Sequence, residues 1–383
     1  MENYSFSSAD RSHKLQFIDN LRALAILLVI FHHVGEAFPD ADYLRIISKW
    51  GKLGVQLFFV MSAFTLCYTG SKLPLNRKAA VAFYIKRLFR IAPMYYLAII
   101  GYYYVAKITS NIAGAKSLGD IVSYTKWNVL SNVLFLHGLY PPGNNSIVPG
   151  GWSIGCEMLF YLLFPFLMHL TRISKGYLLA IQAVFCFVLY AFLLAAKLNG
   201  HQGVGGESSF AYYFLGNQMP TFLLGIALFF FWRSNKFYNV LLFASVAGVI
   251  AIALFIYFGS SAWVWVILPP VAGVLSCLLA KLVSKIHINK IFTSIGQVSY
   301  SMYIFHFVFV WTAIELLRRS GLNWGANLSA IVTFCFVVVS SFLFSKITYK
   351  LIEVPFVKIG RNLANGIYSG KIRQREMEIS GSK

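Results

Sequence analysis

Charged residues are scarce in this sequence, and their scarcity excludes a water-soluble domain. Only 12% of the 383 residues are charged, whereas 58% are hydrophobic, and the mean hydropathy is +0.67. A soluble domain of this size cannot bury so large an apolar fraction. Helices satisfy their own backbone hydrogen bonds in lipid. The composition therefore predicts an all-α polytopic membrane protein whose solvent is the lipid bilayer.

Several chemical signatures are also missing. The five cysteines stand singly in apolar segments, without a CxxC pair or metal-ligand spacing, so we expect neither disulfides nor a metal. No Gly-x-Ser-x-Gly elbow, phosphate loop or His-Glu-x-x-His occurs, which removes the serine hydrolase, P-loop and zincin classes. Despite the net charge of +20, no basic folded domain is present, so we expect no nucleic-acid partner.

Long apolar stretches are what the chain does have. About ten are long enough to cross a bilayer; they lie near 17–39, 53–70, 88–108, 152–170, 177–197, 211–232, 238–258, 262–282, 296–317 and 326–349. The half-apolar piece Asn128 to Leu139 is too short to span, so it lies at the interface or re-enters. We expect an N-terminal segment 1–16, a membrane domain 17–353 and a flexible basic tail 354–383.

The distribution of Lys and Arg sets the orientation. If the N terminus is cytoplasmic, 23 of the 33 basic residues flank the spans on the cytoplasmic side and nine lie opposite, with Arg22 inside the first span. Positive residues favour the cytoplasmic side. Both termini are therefore expected in the cytoplasm. The first span lacks a signal cleavage site, so we expect it to be retained.

The first span carries polar side chains that are costly in hydrocarbon, namely Arg22, His32, His33 and Glu36. Eleven residues turn an α-helix through about three turns, so Arg22 and His33 share one face about 16 Å apart. His32 points about 100° away from His33 and is expected to be structural. Glu36, at i+3, can orient the His33 ring.

Two further groups of charged residues are candidates for ligand binding or catalysis. Lys86, Arg87 and Arg90 precede the third span, either as an ordinary positive flank or as a clamp for a phosphorylated cytosolic ligand, since guanidinium forks match phosphate. Glu157 follows Trp152 by about one turn, at the outer depth expected for His33, and needs a partner there.

The ninth span carries Ser299, Tyr303 and His306 at helical spacing, so these residues can face one interior. Such a histidine is more often a packing residue than a functional one.

Five motifs in register resemble the membrane acyltransferase-3 family. They are Arg22 with His33 ten residues later, FFVMSAF, RLFR before IAPMYY, WSIGCE with FYLLFP, and SYSMYIFH. The resemblance covers about Leu15 to Pro355. The family usually has glycine after the serine of the second motif, where this chain has Ala63. Because the sequence leaves no room for the hydrolase-like domain that many members append, we expect the stand-alone form, in a bacterial inner membrane.

The resemblance implies acyl transfer, usually acetyl, from cytosolic acetyl-coenzyme A to a hydroxyl of a carbohydrate or lipid-linked glycan, such as O-antigen, lipopolysaccharide or exopolysaccharide. It implies that His33 is catalytic, that Arg22 shares its motif, and that Arg87 and Arg90, beside Lys86, serve the donor. We expect His33 to act as general base, oriented by Glu157 or, as the less favoured choice, by Glu36. An acyl-His intermediate remains open.

A transporter or polysaccharide-export component is the competing interpretation, because intramembrane Arg, His and Glu also form proton or substrate paths. Neither two matching halves nor paired helix breaks are visible in the sequence.

Overall fold

Helices make up almost all of the computed structural model, which describes residues 8–70, 76–109, 123–173, 181, 188, 210–232, 234–257, 261–286, 290–321 and 324–380. No β-strand occurs within these ranges. The expected all-α class is confirmed.

We number the described α-helices in chain order. They are α1 (Ser8–Ala37), α2 (Asp42–Ser48), α3 (Gly54–Gly70), α4 (Arg77–Thr109), α5 (Lys126–Val133), α6 (Gly151–Ile173), α7 (Phe210–Tyr213), α8 (Leu215–Phe230), α9 (Asn235–Tyr257), α10 (Ser261–Val283), α11 (Lys290–Gln297), α12 (Ser299–Ser320), α13 (Ala326–Thr348) and α14 (Val354–Ser380). Short 3₁₀ turns occur at Lys49–Leu53, His137–Leu139 and Pro141–Gly143, and a π-helical turn at Tyr349–Glu353.

Seven helices in the described part of the chain are long and apolar enough to cross a membrane. Helix α4 also contains the expected span 88–108, and α8 is a shorter apolar helix of 16 residues. The expected span 177–197 lies outside the described residues except for two positions. The polytopic character is confirmed, while the number ten stays a prediction.

The prediction of a flexible tail after Glu353 is wrong for the first residues of that tail. The π-helical turn joins α13 directly to α14, so the helix continues through the boundary. The Phe356 ring lies 6.5 Å from the Phe89 ring of α4, between centroids. This aromatic contact is an anchor that the tail's basic composition obscured.

Helix α1 lies against α3, α11, α12 and α13; the side chains of Arg22 and His33 are partly buried, whereas that of Glu36 is exposed. The approach of α11 is especially close, because a Cβ at Gly296 would overlap the backbone of Asp19. Beside that contact, Thr293 Oγ1 donates a hydrogen bond of 2.9 Å to Asn20 Oδ1. These contacts fix the Arg22 end of α1.

The segment after α4 turns back along that helix. Tyr124 Oη donates to the Ile99 carbonyl at 3.0 Å, and Tyr95 Oη donates to Asn132 Oδ1 at 2.7 Å. The loop thus runs antiparallel to α4 for about one turn. These contacts are compatible with both predicted positions, so whether the segment lies at the interface or re-enters the membrane stays a prediction.

Candidate active site

Five helices, α1, α3, α4, α6 and α12, line a partly open pocket that we call the arginine pocket. Its charged and hydroxyl-bearing walls include Arg22, Ser62, Arg87, Arg90, Glu157 and Tyr161. Three of the four predicted donor-binding residues therefore meet in one cavity, although they are distant in the chain. The fourth, Lys86, is not part of the wall.

Hydroxyl groups hold the carboxylate of Glu157 in this pocket. Ser62 Oγ and Tyr161 Oη both donate to Glu157 Oε1, each at 2.5 Å. The Arg87 guanidinium carbon lies 5.6 Å from the centroid of the Tyr161 ring. Glu157 is thus fixed among the groups that surround the arginines.

The arginines differ in how fully they are paired. Arg22 Nη2 donates to Thr65 Oγ1 at 3.4 Å, and its Nη1 lies 3.8 Å from Asp19 Oδ1. In contrast, the buried Nε of Arg87 has no hydrogen-bond partner among the described residues. An unpaired buried donor is costly, by about 1–3 kcal/mol or more when the group is charged. The Nε–H of Arg87 is therefore an unsatisfied buried donor on a residue that lines the arginine pocket.

His33 lies near the other end of α1, beside a carboxylate of its own helix. Its Nδ1 is 2.8 Å from Glu36 Oε2. An ionised carboxylate only accepts hydrogen bonds, so Nδ1 carries the hydrogen and neutral His33 keeps a lone pair on Nε2. The ring centroid of Phe307 is 4.4 Å away and that of His306 is 5.4 Å away.

The structure reverses the predicted preference between the two carboxylates as partners of His33. Glu157 was expected to orient His33, with Glu36 as the less favoured choice. The hydrogen bonds of Glu157 go to Ser62 and Tyr161 in the arginine pocket. Matching depths along two helices did not bring these side chains together, because Glu157 points toward α3 and α4.

His32 takes a different direction from His33, as expected from the helical turn. It is buried, its Nδ1 donates to the Ser48 carbonyl at 3.2 Å, and its Nε2 lies 3.6 Å from Glu36 Oε1. These contacts tie α1 to α2. Donor atoms of His32, His33 and Glu36 lie within 4.8 Å of one another, a spacing that a metal ion could also use; the expected absence of a metal stays a prediction.

Helix α12 connects the arginine pocket with His33. Tyr303 lines the pocket, and its Oη accepts from Ser153 Oγ at 2.7 Å and donates to the Gly150 carbonyl at 3.0 Å. The backbone carbonyl of Tyr303 accepts from His306 Nδ1 at 2.7 Å. One turn of α12 thus spans the space between the two groups of residues.

Tyr161 and Ser153 are among the site residues that the sequence reasoning did not identify. Tyr161 lies at i+4 from Glu157, a spacing that places both on one helix face and so could have signalled the contact. Ser153 gave no such signal, because its partner Tyr303 is on a different helix.

Comparison with known proteins agrees with the arrangement of the motifs. The sequence profile of the acyltransferase domain matches residues 15–348. The chain belongs to the acyltransferase-3 family. The matched range includes the residues that line the arginine pocket and the His33 end of α1.

Relatives within the family include the peptidoglycan O-acetyltransferase OatA of Listeria monocytogenes, 26% identical over 376 residues, which are 90% of this chain and 56% of the relative. The O-acetyltransferase OatA of Staphylococcus aureus is 23% identical over 400 residues, covering 94% of this chain and 60% of the relative. The chain thus spans somewhat over half of these relatives. No solved structure matches it.

The one departure from the family pattern has a structural counterpart. Ala63 is fully buried on α3, and Gly225 of α8 packs against it. A Cβ at Gly225 would lie 2.8 Å from the Ala63 Cβ. Close helix contact is retained because the small residue is on the neighbouring helix.

Proposed function

We propose that this acyltransferase-3 protein is a membrane O-acyltransferase that moves an acyl group, most simply acetyl, from cytosolic acyl-coenzyme A to a hydroxyl of a cell-envelope glycan. The observation that carries the proposal is the placement of Arg22 and His33. These residues share α1, yet one lines the arginine pocket and the other meets α12 beyond it. A donor and an acceptor can therefore approach the two ends of one helix.

The arginine pocket suits the donor. Coenzyme A carries phosphate groups, and guanidinium forks bind phosphate in bidentate fashion. The guanidinium groups of Arg87, whose Nε is unpaired, and of Arg90 would supply the hydrogen-bond donors for phosphate. With both termini in the cytoplasm, the N-terminal half of α4 lies on the side where coenzyme A is found.

His33 suits the role of general base. Its Nε2 lone pair takes the proton of the acceptor hydroxyl while that oxygen attacks the thioester carbonyl. The new C–O bond forms, the C–S bond breaks, and coenzyme A leaves as a thiolate that recovers the proton from His33. Glu36 holds the Nδ1–H and stabilises the imidazolium, and a base of this kind contributes about 10² to 10⁴ in rate.

The relatives support a glycan as the acceptor. The Listeria relative is named a peptidoglycan O-acetyltransferase. Peptidoglycan joins O-antigen and exopolysaccharide among candidate acceptors, since all present sugar hydroxyls outside the inner membrane.

The decisive experiment uses the purified protein in lipid vesicles with labelled acetyl-coenzyme A and a panel of glycans. We expect label in a glycan ester that mild base releases. Donor binding without transfer to any glycan would contradict the proposal. Unlabelled glycan that crosses the vesicle membrane would instead favour the transporter interpretation.

A further inference from the structure

His306 contains an unexplained buried polar atom. The side chain is fully buried, and its Nε2 has no hydrogen-bond partner among the described residues. Leaving a buried polar atom unpaired is energetically costly. A residue that only packs at this position could be apolar, so packing alone does not explain the unsatisfied nitrogen.

The tautomer of neutral His306 follows from its other nitrogen. Nδ1 lies 2.7 Å from the Tyr303 carbonyl, which can only accept a hydrogen bond. Nδ1 therefore carries the hydrogen, and Nε2 presents a lone pair. The unpaired atom is an acceptor without a donor.

His33 is the neighbour that can become that donor. The two ring centroids are 5.4 Å apart, with 31° between the ring planes, and Phe307 packs against both rings at 4.4 Å and 4.3 Å. The first N–H of His33 is already used by Glu36. The second exists only while His33 holds the proton of the acceptor hydroxyl.

We propose that His306 is a positioning residue for acyl transfer, whose Nε2 accepts a hydrogen bond from protonated His33. This inference rests on the proposed function. When the hydroxyl oxygen becomes an ester oxygen, the new N–H of His33 loses its strong acceptor. His306 then holds that N–H until the departing thiolate takes the proton. No covalent bond to His306 is made or broken, so the atoms and charges of the reaction balance as before.

Two variants separate this role from a structural one. His306→Asn places an amide N–H near the former Nδ1 and keeps the bond to Tyr303 while removing the Nε2 acceptor. His306→Gln places an amide oxygen near the former Nε2 and loses the Nδ1 donor. We expect Gln to retain about tenfold more kcat than Asn, as expected for one hydrogen bond to a charged group, with the donor KM unchanged in both.

The opposite ranking, or equal activities in variants with similar thermal unfolding, would overturn the inference. Should either variant fail to fold, His306→Ala provides a second measurement, because added imidazole can occupy the vacated volume. We expect imidazole to restore part of kcat, whereas folded protein without rescue would contradict the role. A wild-type protein that transfers no acetyl to any glycan would instead remove the proposed function itself.

Discussion

The Nδ1 atom of His33 lies 2.8 Å from Oε2 of Glu36, one helical turn further along α1. The proposed base and the carboxylate proposed to orient it are thus on one helix, and a site built on a helix is held more precisely than one built on loops. Glu157, by contrast, hydrogen-bonds within the arginine pocket. The two carboxylates have different surroundings, so their substitutions should have different kinetic effects.

His33→Ala should abolish transfer while the protein still inserts and folds. The loss should be about 10² to 10⁴ in kcat if His33 is a general base. The measurement is label transfer from acetyl-coenzyme A, with thermal unfolding and donor binding as controls. Near-normal turnover in the variant would remove His33 from the mechanism. His32→Gln is the matched control at the adjacent position, and it should retain far more activity.

Glu36→Gln and Glu157→Gln should separate orientation of the base from binding of the donor. Loss of a charge-assisted hydrogen bond costs about 1.5–3 kcal/mol, or roughly 10- to 150-fold. We expect this loss in kcat for Glu36→Gln with donor affinity retained. For Glu157→Gln we expect altered donor affinity, because its carboxylate lies among the arginines. Steady-state kinetics for both substrates measures the difference, and identical profiles would contradict the assignment.

Arg87→Ala should weaken donor binding by about 10- to 150-fold, the effect of losing a charged hydrogen bond to phosphate. Lys86→Ala is the matched control, since Lys86 neighbours Arg87 in sequence but does not line the pocket. Equilibrium binding of coenzyme A in detergent provides the measurement. A similar loss in both variants would show that overall positive charge, and not the pocket, attracts the donor.

The sequence predicted the helices, and which candidate residues share a helix face, because these depend on local patterns. Hydropathy and helical spacing placed Arg22 with His33 on α1, and Tyr303 with His306 on the buried face of α12. The partner of Glu157 could not be predicted in this way. Its hydrogen bond to Ser62 joins residues on different helices, and that packing depends on helix rotation, which hydropathy does not specify.

Contacts between small residues of different helices could not be predicted from the sequence either. One of these contacts gives a prediction about stability. A Cβ at Gly225 would lie 2.5 Å from the Val60 carbonyl oxygen and 2.8 Å from the Ala63 Cβ. Gly225→Ala therefore forces α8 away from α3, and overpacking of this kind costs about 1–3 kcal/mol. Gly101→Ala is the control, because its Cβ would have only an ordinary contact of 3.9 Å with Phe305.

Thermal unfolding of the two variants in the same detergent measures the difference. Ala has a higher helix propensity than Gly, by about 1 kcal/mol, so Gly101→Ala should leave the unfolding temperature unchanged or raise it. Gly225→Ala gains the same propensity, and any fall in its unfolding temperature therefore reports the clash alone. Equal unfolding temperatures would mean that α8 moves without cost, in which case close packing of α3 and α8 does not stabilise the fold.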